Sequence, residues 1–204
     1  MKKINANSEN DVNFASGIPP KPMIYIESKR KTKEALGKKY PDAMIIDVTS
    51  KAQDEFVKFS PFYPIGGIPV PFTEGRVATS VEGIWQGLKV FENEDIDTKM
   101  FSKTDMKGMK RTVRTHGKCL GHRKGMNGKE LLGYIEARKL IYLPSYKWVL
   151  ENKLQKLVTA VRIISKNKPV VLLDYNTNPD VNDPTHALSH ASLIKAYVEG
   201  NYPE

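Results

Sequence analysis

The stretch that decides the fold reads Pro169-Val-Val-Leu-Leu-Asp-Tyr175. Four consecutive apolar residues bounded by proline and aspartate are typical of a short strand buried on both faces. Upstream of it, apolar residues recur in steps of four and three. This spacing predicts one core-facing helix of about 20 residues, which starts at Pro144 and ends before Lys168-Pro169. The stripe consists of Leu150, Leu154, Leu157, Val161 and Ile164.

Elements on either side of this core complete the predicted framework. Met23–Glu27 and Ala43–Val48 are predicted to form short strands, and the lysine-rich stretch between them, Ser28–Tyr40, to form a helix. A polar turn follows Tyr175. After it, Asp183 has the position of an N-cap residue, and proline at the next position is typical of the first residue of a helix.

A second helix is predicted to begin near residue 80. Thr79 and Glu82 have the Thr-x-x-Glu spacing of a capping box. Gly83 and Gly87 weaken such a helix by about 1 kcal/mol each relative to alanine. Glycine at these positions therefore predicts that another element packs closely against this face.

Three further segments are assigned from their breakers and their periodicity. Ser60–Thr73 holds four prolines and two glycines, which predicts a shaped loop. Lys99–Asn127 has no clean periodicity and is predicted to be mostly loop. Lys129–Ile141 is predicted to be a helix.

Length and composition limit the class of protein. With 204 residues, 40% of them hydrophobic and 27% charged, the chain can form one packed domain. We expect a single helix-rich α+β domain with a small sheet over residues 23–204, preceded by an N-terminal arm at residues 1–22. The apolar runs are far shorter than the ~20 residues that span a bilayer, and no apolar segment follows the basic N-terminus. With Cys119 as the only cysteine, no internal disulfide can form, and we expect a cytoplasmic location.

The net charge of +9 comes from one segment. Lys99–Lys139 holds 12 of the 32 basic residues and 3 of the 23 acidic residues, so the other residues carry 20 of each sign. Such a segment attracts the phosphates of a nucleotide or of a nucleic acid. The alternative interpretation is a solvated basic loop without a ligand.

Two groups of residues suggest a binding site. Glu82, Gln86 and Lys89 fall at i, i+4 and i+7 of the predicted helix and could form a polar site on one face. The alternative is that Glu82 caps its own helix and that Lys89 is a surface residue. The proline-rich loop brings further aromatic residues, which either cover the core or form a wall for a flat ligand. They include Phe59, Phe62 and Tyr63.

Other chemistry has weaker support. His186 and His190 have the i, i+4 spacing of metal ligands on a helix, but no third ligand can be identified, and we expect no metal. Cys119 lies between two histidines in the basic segment without a recognisable Cys-His motif. The glycine-rich segment at residues 121–128 suits phosphate binding in general, but it is neither a P-loop nor a dinucleotide-binding motif.

A family resemblance connects these observations. Val81-Glu-x-x-x-Gln-x-x-Lys89, preceded by the aromatic loop, resembles the helix signature of the YbiA/NADAR family. Glu136-Ala-Arg-Lys-Leu140 followed by Pro144-Ser-Tyr-Lys-Trp148 resembles the Ala-Arg-x-Leu and Arg-Pro-Asp-Trp region of that family. Val170–Asp174 resembles its strand before an acidic turn and a closing helix. The three blocks keep their order over residues 56–198, although Gly83 replaces the family histidine and the Trp-Gly pair near the acidic turn is missing.

The resemblance implies a YbiA-like domain, of the kind carried by large tailed phages, that hydrolyses an N-glycosidic bond in a ribose-phosphate or ADP-ribosyl substrate without a cofactor. In the host of such a phage, the location would again be the cytoplasm. The alternative is an inactive protein that uses the same cleft, or the basic segment, to bind a nucleotide or nucleic acid. The resemblance implies that the catalytic residues are Glu82, Trp148 and Asp174, with Asp180 and Asp183 as the alternatives for the second acid. The expected substrate-binding residues are Phe59, Phe62, Tyr63, Gln86, Lys89, Arg123, Lys124, Arg138, Asp180 and Asp183.

Overall fold

The computed structural model describes residues 21–204 and confirms the α+β fold class. The N-terminal arm predicted at residues 1–22 lies, up to residue 20, outside the described residues. Among residues 21–204, no helix combines the length and the apolar character needed to cross a membrane.

A parallel sheet forms around the strand predicted to be buried. Its strands are β1 (Ile24–Ser28), β2 (Met44–Asp47) and β8 (Val170–Asp174), in the order β1-β8-β2. All five residues of the central strand β8 are buried, as its apolar sequence predicted. The carboxyl ends of the three strands lie at the same edge of the sheet, where Ser28 pairs with Asp174.

Two small antiparallel sheets lie in the middle of the chain. One pairs β3 (Ile68–Pro69) with β4 (Val77–Ala78). The other has the order β5-β6-β7, formed by β5 (Lys89–Phe91), β6 (Cys119–Arg123) and β7 (Leu131–Leu132). The presence of β6 corrects the prediction that Lys99–Asn127 is mostly loop. Position 121 in this strand requires glycine, because a Cβ atom there would lie 2.6 Å from the carbonyl oxygen of Leu132. Glycine favours a loop in a sequence-based prediction, so the strand was missed.

Residues 21–204 also form seven α-helices, two short 3-10 helices and one π-helical turn. The α-helices are α1 (Lys33–Lys39), α2 (Val81–Gly87), α3 (Val113–His116), α4 (Tyr134–Ala137), α5 (Leu143–Asn152), α6 (Gln155–Asn167) and α7 (His190–Glu199). Short 3-10 helices occupy Glu55–Phe59 and Thr98–Ser102, and a π-helical turn occupies Arg138–Tyr142.

The prediction of a single long helix after Pro144 is wrong. The chain forms two helices there, because α5 ends at Asn152 and α6 begins at Gln155. Burial of the stripe is nevertheless confirmed, with its first four residues buried and Ile164 partly buried. The helix predicted from Lys129 starts later, at Tyr134, because the preceding leucines pair with β6 as strand β7. From Tyr134 to Asn152 the helical backbone is continuous through the π-helical turn.

The last helix also begins later than predicted. Asp183 accepts hydrogen bonds from the backbone nitrogen and the hydroxyl of Thr185, so its carboxylate closes a local turn and caps no helix. The N-cap of α7 is Ser189, whose hydroxyl accepts a hydrogen bond from the backbone nitrogen of Ser192. His186 and His190 therefore do not share a helical face.

Close packing at the glycines of α2 is confirmed. A Cβ atom on Gly83 would lie 2.6 Å from the backbone oxygen of Met100, and one on Gly87 would lie 2.4 Å from the ring of Phe101. The 3-10 helix at Thr98–Ser102 therefore packs directly against α2, which only residues without a side chain allow.

Candidate active site

A cavity of about 730 Å³ opens at the carboxyl edge of the parallel sheet. Arg30, Thr49 and Asp174, each at or just after the end of a strand, line one side of it. Helix α2 and the π-helical turn line the opposite side. Ligands of parallel α/β sheets commonly bind at this edge, where loops leave the strands. The architecture therefore makes this cavity the candidate active site.

Helix α2 places Glu82 and Gln86 in the cavity. Ser80 caps the helix by accepting a hydrogen bond from the backbone nitrogen of Gly83, while the hydroxyl of Thr79 donates to the carbonyl of Lys103. The predicted capping box is therefore wrong, and the Glu82 carboxylate is free of that role. It accepts a hydrogen bond from Nε2 of Gln86, one turn further on, at 2.8 Å.

The amide of Gln86 has a fixed orientation. Its Oε1 accepts a hydrogen bond from the backbone nitrogen of Arg111 at 3.1 Å, so its NH₂ group must face Glu82. The guanidinium of Arg111 is itself buried and donates to the backbone carbonyls of Gln86, Lys89 and Asp95. Arg111 thus fixes the end of α2 and, through Gln86, the Glu82 carboxylate.

Burial changes the acidity of both charged residues at this end of the cavity. Glu82 is only 7% exposed, and burial raises the pKa of its carboxyl, although the Gln86 hydrogen bond and the charges of Lys89 and Lys110 oppose this. Burial also lowers the pKa of Lys89, while the charge of Glu82 opposes the change. Lys89 belongs to β5 but lines the same cavity as Glu82 and Gln86.

Asp174, at the end of β8, faces the same cavity from the sheet. Its Oδ2 accepts hydrogen bonds from the hydroxyl of Ser189 at 2.9 Å and from the backbone nitrogen of Ala191 at 3.3 Å, and lies 3.0 Å from Nδ1 of His190. Its Oδ1 accepts a hydrogen bond from the backbone nitrogen of Tyr175 at 2.7 Å. Both oxygens of Asp174 are therefore engaged in joining β8 to the start of α7.

Both ring nitrogens of His190 face oxygen acceptors, which favours the protonated ring. Its Nε2 donates to the carbonyl of Val48 at 2.8 Å, and its Nδ1 faces the Asp174 carboxylate. Burial disfavours the charged ring, but the charge and hydrogen bond of Asp174 outweigh it and raise the pKa of His190. Burial likewise opposes ionisation of Asp174, but the charge of His190 lowers the pKa of Asp174.

Aromatic rings form the third wall of the cavity. Phe62 lines it from the proline-rich loop, and Trp85, Tyr134 and Tyr142 line it from the helices. Trp85 stacks on the buried ring of His122, with ring centroids 3.8 Å apart. Burial lowers the pKa of His122 to about 3, so this ring is neutral at physiological pH.

Trp148 lies outside this cavity, contrary to the expectation that it forms the aromatic wall. It packs against the hydrophobic core, and Nζ of Lys153 lies 5.7 Å from its ring centroid. Trp148 follows the cavity residue Tyr142 by six positions, and at 3.6 residues per turn this turns its side chain by about 120° away from that of Tyr142 and the cavity. Phe59 also belongs to the core, where its carbonyl accepts a hydrogen bond from the hydroxyl of Tyr146.

The basic residues expected to contact phosphate have other partners. Nη2 of Arg123 lies 2.5 Å from the Asp95 carboxylate, and Nζ of Lys124 lies 2.9 Å from that of Glu130, both outside the cavity lining. Arg138 does line the cavity, but it is buried and its guanidinium holds the turn before α7. It donates to the hydroxyl of Tyr134 and to the carbonyls of Asp180, Val181, Asp183 and His186.

The remaining candidate residues do not join the site. Tyr63, Asp180 and Asp183 are not among the residues that line the cavity. Oδ2 of Asp183 instead lies 2.8 Å from Nδ1 of the exposed His186. Cys119 is an unpaired thiol on β6, outside the cavity lining. Within residues 21–204, no group of three or more histidine, cysteine or acidic residues is arranged to hold a metal ion.

Several cavity residues escaped the sequence analysis. Arg30 could have been found because it follows the carboxyl end of a predicted strand. Tyr142 could have been found because it follows the predicted site residue Arg138 by four positions, but the helix predicted there ended at Ile141. Lys110 and Arg111 lie in the basic segment, but nothing in its pattern singles them out, and no local pattern marks the others, since the cavity forms from distant segments. They include Thr49, Trp85, Lys110, Arg111, Thr112 and Tyr134.

Together, the fold and the cavity define an α+β protein with two buried acidic residues, Glu82 and Asp174, beside cations and aromatic rings at the edge of a parallel sheet. The chain belongs to a family of unknown function, DUF6939, whose model matches residues 28–194. This match runs from the end of β1 into α7 and includes every residue named above as lining the cavity. No curated protein matches the chain.

Proposed function

We propose that this protein is a hydrolase that cleaves the N-glycosidic bond of a ribose-phosphate or ADP-ribosyl substrate in the cavity at Glu82. The observation that supports this best is the buried Glu82 carboxyl of raised pKa, fixed by Gln86 and placed beside Lys89. The resemblance to the YbiA/NADAR family supports the same reaction through the same glutamate.

The chemistry uses Glu82 as its acid and base. As the C1′–N bond breaks, positive charge develops on the ribose as in other glycoside hydrolyses. A protonated Glu82 gives its proton to the departing nitrogen, and the resulting carboxylate then accepts a proton from the water that adds to C1′. Raising the pKa of a carboxyl by burial is the usual way to keep such an acid protonated near neutral pH. Glu82 and Asp174 are the two acidic residues of the cavity lining, and Asp174 is held in its ion pair.

The rest of the cavity suits a phosphorylated nucleoside. Trp85 and Phe62 offer flat surfaces for a base, since aromatic rings stack favourably on one another. Arg30, Lys89 and Lys110 bring positive charge for phosphate groups, and none of them forms an ion pair among residues 21–204. The volume of about 730 Å³ leaves room for a ligand larger than a ribose phosphate.

One observation favours the second candidate function, binding without catalysis. Both oxygens of Asp174 are engaged in protein hydrogen bonds, so Glu82 would have to act without a second free carboxylate. In that case the cavity would hold a nucleotide, and the basic segment Lys99–Lys139 would add affinity for nucleic acid. A cytoplasmic location is part of the proposal in either case.

A base-release assay separates the two candidates. The protein is incubated with NAD, with ADP-ribosylated DNA and with pyrimidine and flavin-pathway ribosides, and free base is measured by liquid chromatography. We expect release from at least one substrate, and about 100-fold or more slower release by Glu82→Gln, because general acid–base groups contribute at least that much. Glu34→Gln, on the exposed side of α1, is the matched control and should keep full activity. Tight binding without release would favour the binding protein.

A further inference from the structure

A π-helical turn brings one tyrosine into the cavity wall. The turn, Arg138–Tyr142, interrupts the continuous helix that starts at Tyr134. Tyr134, Arg138 and Tyr142 follow one another at four-residue intervals, and all three line the cavity. Single π-helical turns inside α-helices occur frequently at functional sites. Here the turn decides which side chains of the helix face the ligand space.

Tyr142 and Tyr146 form a stacked pair with opposite surroundings. Their rings are nearly parallel, at 11°, with centroids 6.2 Å apart. The hydroxyl of Tyr146 is buried and donates to the carbonyl of Phe59 at 2.7 Å. The hydroxyl of Tyr142 has no hydrogen-bond partner among residues 21–204, although its ring lines the cavity. This hydroxyl is not one of the buried side-chain atoms without a partner among residues 21–204, so it is open to the cavity and available to a ligand there.

The ring of Tyr142 is held in place, and its hydroxyl stays neutral. Tyr146 supports one side of the ring, and Trp85 meets it edge to face at 5.7 Å. Burial, together with the negative charges of Glu82 and Asp174, raises the pKa of Tyr142 well above its ordinary value. A neutral phenol can donate a hydrogen bond as well as accept one.

We propose that Tyr142 is a ligand-contacting residue, whose hydroxyl donates a hydrogen bond to an oxygen of the bound ligand between Glu82 and Asp174. This inference rests on the proposed function for the class of ligand, a phosphorylated ribose compound that is rich in hydroxyl and phosphate oxygens. Because the ring is already fixed by its neighbours, forming this bond requires little further ordering of the side chain.

Paired tyrosine-to-phenylalanine variants test this inference. Tyr142→Phe should leave the melting temperature unchanged, because its hydroxyl has no protein partner to lose. Tyr146→Phe should lower it by about 2–4 °C, since it leaves the buried carbonyl of Phe59 unpaired. Isothermal titration with ADP-ribose should show about three- to tenfold weaker binding for Tyr142→Phe and unchanged binding for Tyr146→Phe.

The outcomes separate this inference from the proposed hydrolysis. If the wild-type protein binds ADP-ribose but releases no base, the hydrolase fails, and the dissociation constants still decide the role of Tyr142. Equal affinity of Tyr142→Phe and wild type overturns the inference, and so does a melting temperature lowered as much as in Tyr146→Phe. If the wild-type protein does not bind ADP-ribose, the inference that Tyr142 contacts a ligand of this class is overturned.

Discussion

Two buried glutamates of this protein have opposite electrostatic surroundings. Glu27, on β1, is 6% exposed, and Glu82 is 7% exposed. Burial opposes the ionisation of Glu27, but the ammonium groups of Lys31 and Lys39 and the hydroxyl of Tyr40 together lower its pKa to about 2. Around Glu82 the balance is reversed, because burial outweighs its neighbours and raises the pKa. Similar exposure thus gives one carboxylate that stabilises the fold and one that is available for chemistry.

This contrast predicts opposite effects of pH on the stability of two glutamine variants. A lowered pKa means that ionised Glu27 stabilises the protein above the unfolded value of 4.5 and that this contribution is lost as pH falls through about 2. Glu27→Gln should therefore destabilise by about 1–2 kcal/mol at pH 7.5, allowing for solvent screening, and by less at pH 4. A raised pKa means that Glu82 favours the folded state less as pH rises above 4.5. Glu82→Gln should be more favourable to stability at pH 7.5 than at pH 4.

Urea unfolding at the two pH values measures both effects. The same direction of change in the two variants would contradict the assignment of Glu82 as a carboxyl of raised pKa. The slope of the free energy of unfolding against urea should be equal in all three proteins, so that the midpoints compare stability alone.

At the residue scale, local spacing predicted only part of the site. Glu82 and Gln86 could be placed together because a helix brings i and i+4 side chains to one face. Asp174 could be placed because it follows a clear buried strand. Which carboxylate oxygens of Asp174 remain free could not be predicted. They are engaged by Ser189 and His190, at the start of a helix whose first residue was predicted wrongly. The same is true of Arg138, whose carbonyl partners lie more than 40 residues away.

At the element scale, glycine in α2 serves packing, which predicts a large effect of one methyl group. Gly83→Ala places a Cβ atom 2.6 Å from the backbone oxygen of Met100 and 3.0 Å from the capping hydroxyl of Ser80. Neither group can move freely, so we expect destabilisation by about 1–3 kcal/mol despite the better helix propensity of alanine. Thermal unfolding measures the change.

Gly37→Ala, in helix α1, is the matched control for Gly83→Ala in α2. Gly37 lies within α1, and a Cβ atom there meets nothing within 4 Å. The variant should therefore be as stable as the wild type or up to about 1 kcal/mol more stable. Equal changes in both variants would mean that the contact between α2 and the 3-10 helix at Thr98–Ser102 is not tight.

The prediction of elements succeeded where one physical signal dominated. The strand β8 is apolar throughout, and its burial followed directly. The 4-3 spacing of Leu150 to Ile164 correctly predicted burial, but a spacing rule does not reveal the break after Asn152, because residues in both helices face the same core. Trp148 was assigned to the site from the family resemblance, and its position outside the cavity is not contained in the spacing either. A helix orientation depends on tertiary contacts, which the sequence pattern alone does not contain.

At the scale of the whole molecule, the structure divides the basic segment into paired and unpaired cations. Arg123 and Lys124 are bound to acidic side chains. Arg111 and Arg138 are buried in contacts with backbone carbonyls, and Arg111 also pairs with Glu94. Lys110 is exposed at the cavity lining. Other exposed cations of the segment lack an ion pair among residues 21–204. They are Lys99, Lys107, Arg114, Lys118, Lys129 and Lys139.

This division changes which substitution should weaken ligand binding. Lys110→Ala should weaken the binding of ADP-ribose severalfold at low salt, because it removes positive charge from the cavity. The effect should shrink as salt is added, since exposed charges are screened. The double variant Arg123→Ala, Lys124→Ala should bind as the wild type does, because both side chains lie outside the cavity. Weaker binding of the double variant than of Lys110→Ala would return the phosphate contacts to Arg123 and Lys124.

The same titrations with duplex DNA decide whether the unpaired cations act as one surface. A protein that neutralises several phosphates releases as many counterions, and the logarithm of its affinity falls with the logarithm of salt concentration with a slope of about 0.9 per phosphate. Six unpaired cations on one segment predict a slope several times that of a mononucleotide, if they face the same strand. A shallow slope, equal to that of ADP-ribose, would mean that these cations are solvated side chains that do not bind DNA together. The substrate would then be a free nucleotide derivative that enters the cavity past Lys110.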